Sequence, residues 1–198
     1  MNEHALAFWT EVAGRGFRRA MMNLSQLCGE PINVESFGLR RVEMTELPET
    51  MGGADAEAVG IYITISGPAH GHIMLAYDPG MALGFAEMLL ANPSGSTGRL
   101  GDMERSALGE LGNIMASSFL NVLGESTGLR LLPSPPIVLS DMAGALSDII
   151  AADVLLVQDH AFLAQTEFRV AERSMSGAFI VVPRQDLLEV LLQHRSAA

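Results

Sequence analysis

Apolar side chains recur at three- and four-residue intervals from Glu3 to Cys28 and again from Asp102 to Thr127, which predicts two long amphipathic helices. Gly128 stands where a glycine commonly ends a helix. Elsewhere the pattern changes to alternating or β-branched runs bounded by Pro and Gly, which predict strands. In the first half these are Ile32 to Leu39, Ala58 to Ser66 and Gly71 to Tyr77. In the second they are Leu129 to Leu132 with Ile137 to Leu139, then Val154 to Gln158, Leu163 to Val170 and Gly177 to Val182. Shorter helices are expected over Met81 to Leu90 and Gln185 to His194, and Glu49 to Glu57, with its Gly52-Gly53 pair, reads as a surface turn.

The order of elements repeats. Gly71-His-Ile-Met-Leu-Ala-Tyr-Asp-Pro79 leads into one short helix, and Gly177-Ala-Phe-Ile-Val-Val-Pro183 leads into the other. These segments are offset by 106 residues, whereas the long helices align at an offset of 99, which places Glu11 on Glu110 and Leu24 on Leu123. Two copies are too few for a solenoid, so the pattern reads as one duplicated unit. The linker Asn92-Pro-Ser-Gly-Ser-Thr-Gly98 divides a single domain into a first half, residues 1–91, and a second, residues 99–198.

Composition narrows the function classes. Of 198 residues, 48% are hydrophobic and 18% charged, enough for a large core. The formal net charge of -11 is the wrong sign for holding a phosphate backbone or an anionic membrane, so neither nucleic acid nor membrane is expected as a partner. Cys28 is the only cysteine, which excludes an intrachain disulfide and a cysteine-based zinc site. The N-terminus shows no basic region followed by an apolar run, and Ile149 to Val157 is too short to span a bilayer. A cytoplasmic protein is the expectation.

The second long helix carries the candidate chemistry. With Ser106 as zero, Glu110 falls at about 40°, Asn113 at about -20° and Ser117 at about 20°, whereas Leu108, Leu111, Met115, Phe119 and Val122 fall at about 140° to 220°. A polar stripe therefore faces away from the core. Gly109, Gly112 and Ala116 border it, although a glycine costs about 1 kcal/mol in a helix interior. That cost predicts a close approach, either by the first helix or by the backbone of a partner. Spacing alone does not separate such a stripe from an ordinary solvated face.

The residues add a second signal. Ser106, three residues, Glu110, two residues, Asn113, twenty-two residues and Pro136 resembles the signature of the CheC family of chemotaxis phosphatases. Leu-Gly-Glu-Leu-Gly-Asn-Ile-Met around the stripe, Ser140-Asp-Met-Ala-Gly-Ala-Leu146 after the proline and the C-terminal Gly-Ala-Phe-Ile-Val-Val-Pro are similar to it too. The resemblance implies an α/β (α+β) fold, internally duplicated, with pseudo-twofold symmetry: an antiparallel-rich sheet with two long helices on one face. It also implies hydrolysis of the phosphoaspartate of a CheY-like response regulator. Glu110 would dock the receiver through the lysine beside its phosphorylation site, and Asn113 would orient the attacking water. The divalent metal would belong to the receiver, with no cofactor of the enzyme's own. Two alternatives share the fold: a non-catalytic receiver-binding module like the flagellar-switch proteins, and an adaptor for the receptor deamidase CheD.

The first helix lacks the signature. At the offset of 99, Glu110 falls on Glu11, but Asn113 falls on Gly14, Ser106 on Ala7 and Pro136 on Phe37. Gly14 has no side chain to orient water, so this site is expected to be degenerate, and Gly14→Asn is expected to restore part of it. Arg15, Arg18 and Arg19 nearby read as a solvated face. His70 and His72, two residues apart on a predicted strand, have no third ligand in sequence, so no metal site is expected.

Overall fold

The computed structural model describes residues 3–29, 31–154, 160–170 and 173–193. Helix α1 (Glu3–Cys28) is followed by β1 (Ile32–Glu43), two short 3-10 turns, β2 (Glu57–Ser66), β3 (Gly71–Tyr77) and α2 (Pro79–Leu89). The second half runs α3 (Asp102–Thr127), β4 (Leu132–Pro133), β5 (Ile137–Met142), α4 (Ala143–Val154), β6 (His160–Val170), β7 (Arg173–Pro183) and α5 (Gln185–Gln193). The two long helices end at the 99-residue offset that aligns their sequences.

Among the described residues the strands form one seven-stranded sheet, paired antiparallel throughout, in the order β1-β6-β7-β3-β2-β4, with β5 also on β2. Exchanging β1 with β5, β2 with β6 and β3 with β7 reverses the β1-β6-β7-β3-β2-β5 path onto itself. Each half thus lends its outer strand to the other's hairpin: β1 pairs with β6, and β5 pairs with β2. The pseudo-twofold axis falls at the centre of the β3–β7 pair. There Met74 faces Ile180, and these two positions differ by the same 106 residues that separate the two glycine–strand–proline segments.

Strand alternation assigns the faces. Ile61, Ile63 and Ile65 of β2 point toward α1 and α3, where they meet Trp9, Leu24, Leu108, Leu111 and Phe119 in one core. Each fully buried Leu, Ile or Phe contributes about 1.5–3 kcal/mol, so this face fixes the long helices firmly. Gly16 brings α1 close to α3, since a β-carbon there would stand 2.9 Å from the Phe119 Cα. The opposite face packs Met74, Leu163 and Ile180 against Leu146 and Ile150 of α4, with Leu47 from the 3-10 turns.

Three expectations change. Residues Leu129 to Leu132 do not form a full strand; only Leu132–Pro133 pairs, and the main strand of that segment extends from Ile137 to Met142. Ala143–Val154 is a helix that the strand pattern did not anticipate. The strand expected over Val154 to Gln158 therefore begins on the last residue of α4, and its remainder lies outside the described residues. The helix Ala143–Val154 is apolar on several sides, and a short apolar run does not distinguish a covered helix from a strand.

Candidate functional site

Helix α3 is built to hold a rigid polar stripe. Its start is closed by the Gly101 N–H, which donates to Glu104 Oε2 at 2.9 Å, and Asp102 and Glu104 place negative charge at the positive end of the helix dipole. Its end is closed by Gly128 at φ 72°, whose N–H donates to the Gly124 carbonyl at 2.8 Å. Leu108, Leu111, Met115, Phe119 and Val122 are all buried, and the Phe119 ring stacks on Trp9 of α1 at 5.8 Å. On the opposite side Ser106, Glu110 and Asn113 are exposed and Ser117 is half-buried. The structure brings the stripe together as the helical spacing requires.

The chemical state of the stripe is specific. Glu110 makes no hydrogen bond or ion pair within the described residues, so its carboxylate is available to a cation on a partner. Asn113 accepts at Oδ1 from the Ser117 hydroxyl at 3.3 Å, and its Nδ2 faces solvent with no protein acceptor among the described residues. The glycine border separates into two cases. A β-carbon on Gly112 would stand 2.5 Å from Ile61 Cγ2, so the close approach there is made by β2, neither by α1 nor by a partner. Gly109 has nothing within 4 Å of that position, which leaves open space one turn before Asn113, on the side of the stripe away from Glu110.

Pro136 sits in the loop that enters β5, and among the described residues no hydrogen bond links it to the stripe. The loop is clamped on both sides instead. Ser134 donates its N–H to the Thr64 carbonyl at 2.9 Å and accepts the Thr64 N–H at Oγ, 3.0 Å away. On the other side Arg105, next to Ser106, donates to the Val138 carbonyl and to Ser140 Oγ, each at 3.2 Å. Proline restricts the backbone between these anchors. Arg105 is the residue that ties β5 to the first turns of α3, and nothing in the helical pattern singles it out.

The counterpart on α1 is occupied differently. Glu11 is exposed, but Gly14 is buried: Phe37 Cε1 lies 3.6 Å and Arg18 Nη1 3.5 Å from where its β-carbon would be. Phe37 also packs on Phe17, with ring centroids 5.4 Å apart. The arginines are not simply a solvated face. Arg19 Nη1 meets Glu125 Oε1 of α3 at 2.6 Å, and Arg15 Nη2 lies 4.0 Å from Oε2. The histidines do not converge: His70 precedes β3 and bonds Asp186 at 2.7 Å, while His72 is buried beside the Tyr62 hydroxyl at 2.7 Å. Among the described residues no helix is long and apolar enough to cross a membrane.

A cleft of about 470 Å³ opens on the opposite face of the sheet, lined by Ser36, Gln165, Glu167 and Ser176 among others. None of Ser106, Glu110, Asn113 and Ser117 lines it.

Comparison with known proteins agrees with the geometry. A model of the CheC-like family matches residues 103–140, from the first turn of α3 to Ser140. Over 195 residues the chain is 29% identical to the CheY-P phosphatase CheC of Bacillus subtilis strain 168, covering 96% of this chain and 93% of that protein. FliY of Thermotoga maritima has the same fold at a TM-score of 0.73 and 18% identity, over 98% of this chain and 96% of that one. A chain of the CheX–CheY–BeF3–Mg2+ complex of Borrelia burgdorferi matches at a TM-score of 0.52 and 17% identity, over 86% and 96%.

Proposed function

We infer that this chain, a member of the CheC-like family, is a phosphatase that hydrolyses the phosphoaspartate of a CheY-like response regulator. One observation carries the reading: α3 presents an exposed Glu110, unpaired among the described residues, and an outward Asn113 amide on a rigid helix, inside the segment that matches the family. The relative similar along nearly the whole chain is a CheY-P phosphatase.

The reaction asks little covalent chemistry of the enzyme. The oxygen of a water attacks phosphorus, the bond from phosphorus to the aspartyl oxygen breaks, and the aspartate leaves as carboxylate while inorganic phosphate takes up the water's oxygen. An acyl phosphate is intrinsically reactive, and the metal that neutralises its charge is held by the receiver. What remains is placing the water in line, which is worth several powers of ten in rate. An asparagine suits this because it offers donor and acceptor without a charge that would repel phosphoryl oxygens. Asn113 enters the receiver's pocket in this reading, and Glu110 docks by pairing with a receiver lysine. Gly109 leaves room for the approaching backbone. No cofactor of the chain's own takes part, and the reaction takes place in the cytoplasm, where the receiver is phosphorylated.

Loss of phosphoryl label from a CheY-type receiver tests this. Wild type is expected to accelerate the loss above the receiver's own rate, Asn113→Ala to lower kcat about a hundredfold with KM little changed, and Glu110→Ala to raise KM. Equal rates for wild type and Asn113→Ala, with binding intact, would instead make this a receiver-binding module.

A further inference from the structure

Ser117 shares the stripe with Asn113, one turn further along α3, yet it lies outside the signature that Ser106, Glu110, Asn113 and Pro136 form. Its hydroxyl behaves unlike those of Ser126, Thr127 and Ser147. Ser126, Thr127 and Ser147 each donate back to the backbone carbonyl four residues earlier, at 2.8, 2.8 and 2.9 Å, the usual arrangement for a hydroxyl in a helix. Ser117 donates instead to a side chain, the Oδ1 of Asn113.

The direction of that bond matters for the chemistry. The last torsion of an asparagine side chain is broad and roughly two-fold, so an unrestrained amide presents either its oxygen or its nitrogen to a partner. These ends are opposites: one accepts and the other donates. We propose that Ser117 is a positioning residue that fixes the Asn113 amide, holding Oδ1 toward the helix so that Nδ2 and one remaining Oδ1 lone pair face the receiver. Ser117 is half-buried, and its bond to Asn113 lies at the surface where the receiver would approach. The first helix supplies a contrast: at the 99-residue offset Ser117 corresponds to Arg18, which lies over Gly14 where no amide exists to be held.

The inference rests on the phosphatase reading, and two readouts keep them separate. In turnover of a labelled CheY-type receiver, Ser117→Ala is expected to lower kcat about three- to tenfold, the effect of one lost neutral hydrogen bond, at unchanged KM. Ser117→Thr, which keeps the hydroxyl, should retain the wild-type rate. Because Ser117 acts through Asn113, Ser117→Ala should change nothing further in an Asn113→Ala background. A loss of equal size in that background, or a wild-type kcat for Ser117→Ala, overturns the proposal. The second readout needs no turnover: the Asn113 side-chain NH2 signals in an NMR spectrum should shift in Ser117→Ala and stay in place in Ser117→Thr. Signals indifferent to Ser117→Ala overturn the positioning role even if the chain is an active phosphatase. Signals that shift in Ser117→Ala, when the wild type itself does not accelerate hydrolysis, show the amide held and place the failure in the phosphatase reading alone.

Discussion

The Phe37 ring lies against Gly14, 3.6 Å from the point where a β-carbon would stand. Phe37 is the residue that the duplication aligns with Pro136, so the first half lacks both the amide and the loop geometry of the second. A β-carbon on Gly14 fits at ordinary contact distances, but the amide beyond it meets the ring and the Arg18 guanidinium. Gly14→Asn alone is therefore expected to restore no turnover, contrary to what the bare alignment suggests. Measured in an Asn113→Ala background, activity should rise only when Gly14→Asn is combined with Arg18→Ser and Phe37→Ala. A gain from the single substitution would show that the ring does not block the site.

The helices and the stripe were legible because both are periodic. Apolar spacing placed α1 and α3, and the same spacing put Ser106, Glu110 and Asn113 on one exposed face. The offset of 106 residues carried over directly into the register of Met74 on Ile180. What stayed hidden depends on contacts between distant segments. Arg105 holds β5 across 33 positions of sequence, and Glu125 pairs with arginines on the other long helix. The close neighbour of Gly112 belongs to β2, and no helical pattern names it. Helix α4 was missed for another reason: it covers the back of the sheet and is apolar enough to lack a clear period.

The linker between the halves is more fixed than its Pro, Ser and Gly content suggests. Glu87 is buried in α2, and its carboxylate accepts the N–H groups of Gly95 at 2.9 Å and Thr97 at 2.8 Å. Glutamine at this position keeps one acceptor and turns an NH2 group toward the other N–H. Glu87→Gln is expected to cost about 1–3 kcal/mol in denaturant unfolding and to speed hydrogen exchange at Gly95 and Thr97. Unchanged exchange at those two amides would refute the clamp.

A pH dependence follows from the start of α5. Asp186 accepts from the His70 ring at 2.7 Å and from the backbone N–H groups of His70 at 3.1 Å and Leu187 at 2.7 Å. Burial pushes its carboxyl pKa up, but these bonds and the His70 charge together outweigh it and hold the group below the ordinary value. A carboxylate depressed in the folded state adds stability above its unfolded pKa and loses it as pH falls through the folded one. The Tm gap between wild type and Asp186→Asn should be full near neutrality and close on acidification below the carboxylate range. Both side chains are about half exposed, so the gap is small. A gap independent of pH contradicts the assignment.

Gly109 and Gly112 separate stability from docking on one helix. At Gly112 an added methyl would meet Ile61 of the rigid, fully paired β2, and overpacking of this kind costs about 1–3 kcal/mol. Gly112→Ala should therefore lower Tm, and its turnover per folded molecule should be affected chiefly through any shift of α3 against the sheet. Gly109 meets nothing, so alanine there should raise helix stability by up to about 1 kcal/mol. The same methyl occupies the space beside Asn113 into which the receiver's backbone is proposed to come. Gly109→Ala should accordingly raise Tm while also raising KM for the phosphorylated receiver. Thermal unfolding and steady-state turnover of the two variants, measured side by side, decide the matter. If Gly109→Ala is more stable and binds the receiver as well as wild type, the receiver does not approach the helix at this glycine.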